Sequence, residues 1–362
     1  MPTLFIPACE SPPHAAIAGD RRGVSPCPRT GQTTCHDARG SPVPCAGSGQ
    51  DAEHAAGVPW PEPRFVPGAD FFLDSLTGLR WWNDAGAGGF PMSWREALAF
   101  IDRINQEAWG GHAHWRLPNR RELRSLVDHG RRRPALPADL PARNVFQSWY
   151  WSGTSAAIHP SHAWYVDMAG GRMFYGGKDQ SFMVWPVLGD AAGLAATGQF
   201  LCHDTAGGLA DCVDSGQDGA FRSGCPWPRP RFMAGVHGVL DRLTGLVWHG
   251  RGDLLGAPVC WESALERVAR LNGCAPPGFT WRLPNINELE SLVDCARHSP
   301  ALPLAHPFPR VRDTYWSSTT SAFEPDWAWA LYLDKGAVGV GHKREACFWI
   351  WPVLDRAPVP KA

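Results

Sequence analysis

The pentapeptide Trp-Arg-Leu-Pro-Asn occurs twice in this chain, at residues 115–119 and 281–285. After each copy the chain continues with the same residue types at the same spacing, namely Glu, Leu, Ser, Leu, Val and Asp. The distance between the copies is about the size of a domain, which is too long for a solenoid repeat. The sequence therefore indicates a tandem duplication of one domain.

The duplication extends to both sides of the pentapeptide. Both copies contain Thr-Gly-Gln with two cysteines, Trp-Pro-x-Pro-Arg-Phe, Leu-Thr-Gly-Leu, Tyr-Trp-Ser and Trp-Pro-Val-Leu. The start of the chain is rich in Pro, Gly and Ala, a composition typical of disorder. The predicted organisation is a disordered tail at 1–26, a Cys-hairpin module at 27–59, a first domain at 60–189, a linker with a second Cys-hairpin module at 190–226, a second domain at 227–355 and a tail at 356–362.

Composition excludes some classes of protein and leaves others open. The formal net charge is −1, so we expect no nucleic-acid partner. No apolar run approaches the roughly 18 residues of a membrane span. Tryptophan is frequent, at 19 of 362 residues, which indicates either a Trp-rich core or aromatic faces that stack on sugars. The core explains most of these residues more simply.

The eleven cysteines suggest where the protein acts. We predict disulfides Cys35–Cys45 and Cys202–Cys212, each closing a short hairpin. Such bonds imply an oxidising compartment, hence a periplasmic, secreted or cell-surface location, whereas reduced thiols would imply a cytosolic one. Residues 1–8 lack the basic segment of a signal peptide, so the amino terminus does not itself predict export. No pairing is predicted for the remaining cysteines, Cys9, Cys27, Cys225, Cys260, Cys274, Cys295 and Cys347.

Cys260 and Cys274 flank a predicted helix. A helix rises about 1.5 Å per residue, which places its ends beyond disulfide reach, so we expect these two not to pair. The chain contains neither a CxxC nor an HxxxH spacing, so no metal site and no cofactor are predicted. Two short segments, at 82–84 and 324–326, superficially resemble calcium-site motifs, but six to eight oxygen ligands are needed for calcium.

Local patterns predict the order of helices and strands. A first helix spans 93–105, where Ser93 and Glu96 form a capping box. Asn119 caps a second helix in the same way with Glu122, and Pro118 keeps the preceding residue extended. Alternating strands with hairpin turns at 170–171 and 335–336 follow. The fold class is therefore α+β, with two helices and a twisted antiparallel sheet in each domain.

These motifs resemble a known family. Leu-Thr-Gly-Leu-x-Trp, Trp-Arg-Leu-Pro-Asn-x-x-Glu-Leu, Tyr-Trp-Ser-x-Thr and the closing Trp-Pro-Val are similar to the Lcl C-terminal domain family, named after a Legionella collagen-like adhesin. The resemblance covers both copies and implies two tandem C-type lectin-like domains. It also implies adhesion through sulfated polysaccharides, although the collagen tract that would make such binding multivalent is missing here.

An anionic glycan is the ligand that this resemblance and the local charge favour. Residues 116–133 contain seven arginines and two carboxylates, whereas the matching 282–299 contain two arginines and three carboxylates. Arginine forks suit sulfate and carboxylate groups. The alternative is that these arginines only form a solvated helix face and loop without a ligand. The predicted ligand-binding residues are Arg120, Arg121, Arg124, Arg131, Arg132 and Arg133.

Two other functions remain open at this point. One is a structural or protein-interaction scaffold that displays variable loops. The other is an oxidase of the sulfatase-modifying kind, because the Trp-Arg-Leu-Pro-x-x-x-Glu segment of this chain also resembles a helix start in those enzymes. That chemistry needs neighbouring cysteines, but Cys347 is alone and Phe182 takes its place in the first copy. We therefore predict a non-catalytic protein and leave its oligomeric state open.

Overall fold

The computed structural model describes residues 24–275 and 277–356, apart from the side chains of Cys274 and Arg356. Most of both predicted tails therefore lies outside the described residues. The described chain is a mixed α/β protein with short helices and antiparallel sheets, as the sequence predicted. Both repeats follow the same order of elements, and the second has one additional strand.

The first module and first domain contain nine strands and three α-helices in the described residues. The module comprises β1 (Cys35–His36), β2 (Pro42–Val43) and α1 (Asp51–His54). The domain comprises β3 (Phe65–Val66), β4 (Phe71–Asp74), β5 (Arg80–Trp82), α2 (Trp94–Gln106), α3 (Arg120–Ser125), β6 (Trp149–Ala156), β7 (His159–Asp167), β8 (Met173–Gly177) and β9 (Val187–Leu188).

The second module and second domain repeat this order and add one strand. The module comprises β10 (Cys202–His203), β11 (Leu209–Ala210) and α4 (Asp218–Phe221). The domain comprises β12 (Phe232–Gly235), β13 (Gly238–Asp241), β14 (Val247–Trp248), α5 (Trp261–Leu271), β15 (Phe279–Arg282), α6 (Ile286–Ser291), β16 (Thr314–Thr320), β17 (Trp327–Tyr332), β18 (Ala337–His342) and β19 (Val353–Arg356).

The predicted capping boxes are present. Ser93 accepts the backbone N–H of Glu96, whose carboxylate accepts the backbone N–H of Ser93 in return. Asn119 and Glu122 form the same reciprocal pair at the start of α3. The pair satisfies backbone donors that a helix start otherwise leaves free. These local signals explain why the sequence predicts the helix starts correctly.

The two repeats share one sheet. Six strands are arranged in the order β16-β17-β18-β8-β7-β6, so that each repeat contributes three consecutive antiparallel strands. The halves join where Val338 of β18 pairs with Met173 of β8. Helices α3 and α6 pack on the inner face of this sheet, against β7 and β17 respectively. The two tandem repeats are therefore joined as a pseudo-two-fold unit through one shared sheet.

Each Cys-hairpin module packs on the other repeat. The amide of Gln32, in the first module, exchanges two hydrogen bonds with the backbone of Thr320 in the second repeat. The amide of Gln199, in the second module, does the same with Ser155 of the first repeat. The modules thus cross over and tie the repeats together.

Tryptophans fill the core, as the composition favoured. Eleven of them are almost fully buried. The indole N–H of Trp94 donates to the carbonyl of Ser152, and that of Trp261 donates to the carbonyl of Ser317. An indole N–H that is bonded in this way avoids the cost of an unpaired polar group in the core. One large hydrophobic cluster extends through both repeats, and a smaller one lies under α2 and another under α5.

Candidate functional site

The two predicted disulfides are confirmed. Cys35–Cys45 and Cys202–Cys212 both have Cα atoms 5.3 Å apart, and each closes the hairpin of one module. Cys260 makes no disulfide, so the prediction that it does not pair with Cys274 is also confirmed. Four further cysteines of the described chain are free thiols: Cys27, Cys225, Cys295 and Cys347.

Three of the predicted ligand-binding arginines are buried between the repeats. Arg120 is 0% exposed, and Arg121 and Arg124 are each 6% exposed. Arg120 donates to the Glu290 carboxylate at 3.3 Å and to the backbone carbonyl of Gly336, while its guanidinium lies 3.9 Å from the Trp164 ring centre. The prediction that these three arginines form an accessible binding surface is therefore wrong.

The physical reason is the pairing of α3 with α6 across the pseudo-two-fold axis. Arg121 donates to the backbone carbonyls of Val293 and Ala196, and its Nε lies 3.4 Å from the Glu290 carboxylate. Arg124 donates to the side-chain oxygen of Asn287 at 2.9 Å. Burial lowers the pKa of Arg124 to about 10, with Arg120 and Arg121 adding to the effect and Glu290 opposing it.

The other three predicted arginines are exposed. Arg131, Arg132 and Arg133 follow the short α3 after an intervening turn. Arg132 donates to the backbone carbonyl of Phe323 at 2.9 Å, and the Arg133 guanidinium lies 4.8 Å from the centre of the Phe323 ring. The basic run of the first repeat therefore rests on a loop of the second. All three arginine residues remain exposed.

An aromatic strip lies on the outer face of the shared sheet, opposite α3 and α6. Tyr165 and Phe174 are register partners on β7 and β8, and Phe174 is 40% exposed. Because Met173 points inwards, the next residue, Phe174, points outwards. On the neighbouring β18, Ala337 is buried, and its register partner Tyr332 completes the row. We call Tyr165, Phe174 and Tyr332, with Arg172 and Lys335, the aromatic strip.

The strip contains two cations, Lys335 and Arg172. The Lys335 Nζ atom lies 5.7 Å from the ring centre of Phe174 and 5.8 Å from that of Tyr332. Arg172 pairs with Glu324 at 3.1 Å, yet 44% of its side chain is exposed. Burial raises the pKa of the Tyr332 hydroxyl, and Arg172 partly offsets this rise. The strip thus combines half-exposed rings with cations.

The repeat comparison could not reveal this strip. Phe174 corresponds to Gly339 in the second repeat, and Tyr332 corresponds to Asp167 in the first. Residues that differ between copies escape an analysis built on what the copies share. The alternation along β7 was the one available signal, because it places Tyr165 opposite the buried Trp164 and Val166.

The candidate calcium segments have other partners. Asp84 accepts the backbone N–H of Gly86 and the side-chain amide of Asn144, and Glu324 pairs with Arg172. No group of three or more His, Cys, Asp or Glu side chains in the described chain is arranged to hold a metal ion. Within the same residues, no helix combines the length and apolar character needed to cross a bilayer.

Comparison with protein families identifies the repeats. The model of the Lcl C-terminal domain matches twice, at residues 70–188 and 237–354, and so covers more than half of the chain. The chain belongs to the Lcl C-terminal domain family. No curated protein and no solved structure matches it. The C-type lectin-like character of these Lcl C-terminal domains therefore stays a prediction, and both Cys-hairpin modules lie outside the matched ranges.

Proposed function

We propose that this protein is a non-catalytic, extracytoplasmic binding module for glycans, with a preference for anionic polysaccharides in adhesion. The observation that carries the proposal is the aromatic strip, which leads into the exposed run of Arg131, Arg132 and Arg133. The two are linked through one loop of the second repeat, since Arg133 lies over the Phe323 ring and Glu324 pairs with Arg172. Neither repeat alone contains the whole set.

The aromatic strip has the chemistry that sugar recognition requires. Phenylalanine and tyrosine rings present flat apolar faces, and the tyrosine hydroxyls add polar contacts. Lys335 supplies a cation beside two of these rings. A sugar ring stacked on Phe174 would lie within reach of that ammonium group.

The basic run of Arg131, Arg132 and Arg133 would bind the acidic groups of a glycan that contacts the strip. Arg133 lies over Phe323, and the next residue, Glu324, pairs with Arg172 at the border of the strip. Guanidinium groups bind sulfate and carboxylate through paired hydrogen bonds. A polyanionic chain could therefore contact the rings and the arginines together, which supports anionic glycans over neutral ones.

The state of the buried thiols supports a non-catalytic role. Burial raises the pKa of Cys27 and of Cys295 to about 12. A thiol is a weak nucleophile until it loses its proton, so neither is prepared for oxidase-like chemistry. The two disulfides support an extracytoplasmic location, since such bonds persist in oxidising compartments.

The test is an array that carries heparin, chondroitin sulfate and neutral polysaccharides, probed with the full chain. We expect the sulfated glycans to be retained, and we expect Phe174→Ala to weaken retention about tenfold through the loss of a stacking ring. The matched control is Phe90→Ala, because Phe90 is 81% exposed and lies outside the strip. Retention of no glycan would instead favour the protein-interaction scaffold, and equal loss in both variants would remove the strip from the account.

A further inference from the structure

A small cavity lies on the pseudo-two-fold axis between α3 and α6. Its volume is about 60 Å³, and both repeats line it together with the starts of both modules. A water needs roughly 10–15 Å³ on this measure, so the cavity has room for a few waters or for one small anion. Its polar walls include Arg121, Arg124, Asn287 and Glu290.

The charges around this cavity do not balance. Three buried arginines, Arg120, Arg121 and Arg124, face one buried carboxylate, Glu290. Glu290 lies within 3.4 Å of Arg120 and Arg121 but forms no ion pair with Arg124. A buried cation without a counter-charge is costly, because burial removes its hydration and nothing replaces it.

Arg124 is the arginine of these three that has no carboxylate partner. Its Nη1 donates to Asn287, and its Nη2 lies 3.2 Å from His129 Nε2, which is a neutral acceptor because burial keeps the His129 pKa well below its usual value. Its Nε is buried with no hydrogen-bond partner in the described chain, whereas the Nε of Arg121 lies 3.4 Å from the Glu290 carboxylate. The Nε of Arg124 is therefore an unsatisfied donor beside the cavity.

Neighbouring thiols do not supply the missing negative charge. Cys27 lines the cavity, and Cys295 follows closely after α6. Burial raises the pKa of both thiols to about 12, so both stay protonated at neutral pH. Within the described residues, Arg124 is therefore left without a negatively charged acceptor.

We propose that the cavity binds one small oxyanion of the size of sulfate or phosphate, held by Arg121 and Arg124 and linking the two repeats. Such an anion accepts from several guanidinium N–H groups at once. It would supply the counter-charge that Arg124 lacks. The site is distinct from the aromatic strip, which lies on the opposite face of the shared sheet, and it does not depend on glycan binding.

Calorimetric titration of the full chain with sodium sulfate and with sodium phosphate, in a buffer whose counter-anion is gluconate, tests the affinity. We expect one site per chain, and we expect Arg124→Gln to weaken binding about tenfold or more, since a charged hydrogen bond is lost. The matched control is Arg95→Gln, which removes an exposed arginine of α2, outside both the cavity and the basic run, and should leave the affinity unchanged. Equal affinity in wild type and Arg124→Gln would overturn the proposal.

A crystal of the wild-type protein grown with selenate provides a test that does not depend on the folding of a variant. Selenate has the shape of sulfate and scatters anomalously. We expect an anomalous peak between the guanidinium groups of Arg121 and Arg124. Density that fits only water in the cavity would overturn the proposal, even if sulfate bound elsewhere on the protein.

Discussion

The carboxylate of Asp51 accepts a hydrogen bond of 2.7 Å from the hydroxyl of Thr319, although the two residues are 268 positions apart. Asp51 also accepts from Thr30 of its own module at 2.8 Å. The second module repeats this arrangement, with Asp218 accepting from Thr154 and Thr197. Each module therefore docks on the opposite repeat through one buried aspartate.

This crossed docking predicts that the halves of the chain depend on one another. When residues 1–189 and 190–362 are produced separately, each half should unfold at lower denaturant than the full chain and without a sharp transition. The reason is that each half loses its docked module and its share of the sheet. Mixing the halves should restore a 1:1 complex, measurable by light scattering after gel filtration.

The buried arginines favour association of the first half with the second half over association of two first halves. Two copies of the first half would place two sets of Arg120, Arg121 and Arg124 face to face without Glu290. Like charges at such short range are strongly unfavourable in a buried interface. We therefore expect the mixed complex and not a dimer of the first half. Folding of each half alone with the stability of the full chain would contradict the crossed arrangement.

The docking aspartates predict a pH dependence. Burial raises the pKa of Asp51 and of Asp218 to about 6, against the lowering effect of their threonine partners. A raised pKa in the folded state contributes stability below pH 4 that is lost as the pH rises through about 6. Each carboxyl would account for about 3 kcal/mol of this change.

Chemical denaturation at pH 4, 5, 6 and 7 measures the dependence. In Asp218→Asn, the part of the slope that comes from Asp218 should vanish, because an amide does not titrate. Asp139→Asn is the control, since Asp139 is exposed. Parallel curves for wild type and Asp218→Asn would show that Asp218 is already ionised at pH 4 in the folded protein.

We predict that substitution of Glu290 lowers the stability of the fold strongly. Glu290→Gln would leave Arg120 and Arg121 buried without their carboxylate, and removal of one partner from a buried pair costs roughly 3–5 kcal/mol. Glu266→Gln is the control, because Glu266 and Arg270 form an exposed pair worth at most about 1 kcal/mol. Urea unfolding of both variants provides the comparison, and equal losses would contradict the account of the interface.

Local features of this fold were predictable from the sequence, whereas long-range ones were not. The capping boxes at Ser93 and Asn119 depend on residues three positions apart, so a short pattern suffices. The burial of Arg120 depends on Glu290, which is 170 positions away in the other repeat. A run of arginines gives the same sequence pattern whether it lies on an exposed helix or in a buried interface with carboxylates. The sequence therefore could not distinguish the two locations.

The candidate site likewise contains features that were predictable from local sequence and features that were not. The disulfides and the exposed run of Arg131, Arg132 and Arg133 were predicted, because cysteine spacing and charge density are local properties. The aromatic strip was missed because it forms only when β8 and β18 of different repeats pair. Sequence similarity between the copies indicated two domains, but it gave no sign that they share a sheet.

The most direct test of the account is the dissociation constant of the full chain for a heparin oligosaccharide, measured at low and at physiological salt. For the wild type we expect binding that weakens steeply with salt, as screening of surface charges requires. Combined replacement of Arg131, Arg132 and Arg133 by alanine should raise the dissociation constant at least about tenfold, whereas Arg297→Ala, at the matching position of the second repeat, should leave it unchanged. Salt-insensitive binding, or equal constants for the wild type and the triple variant, would contradict the account.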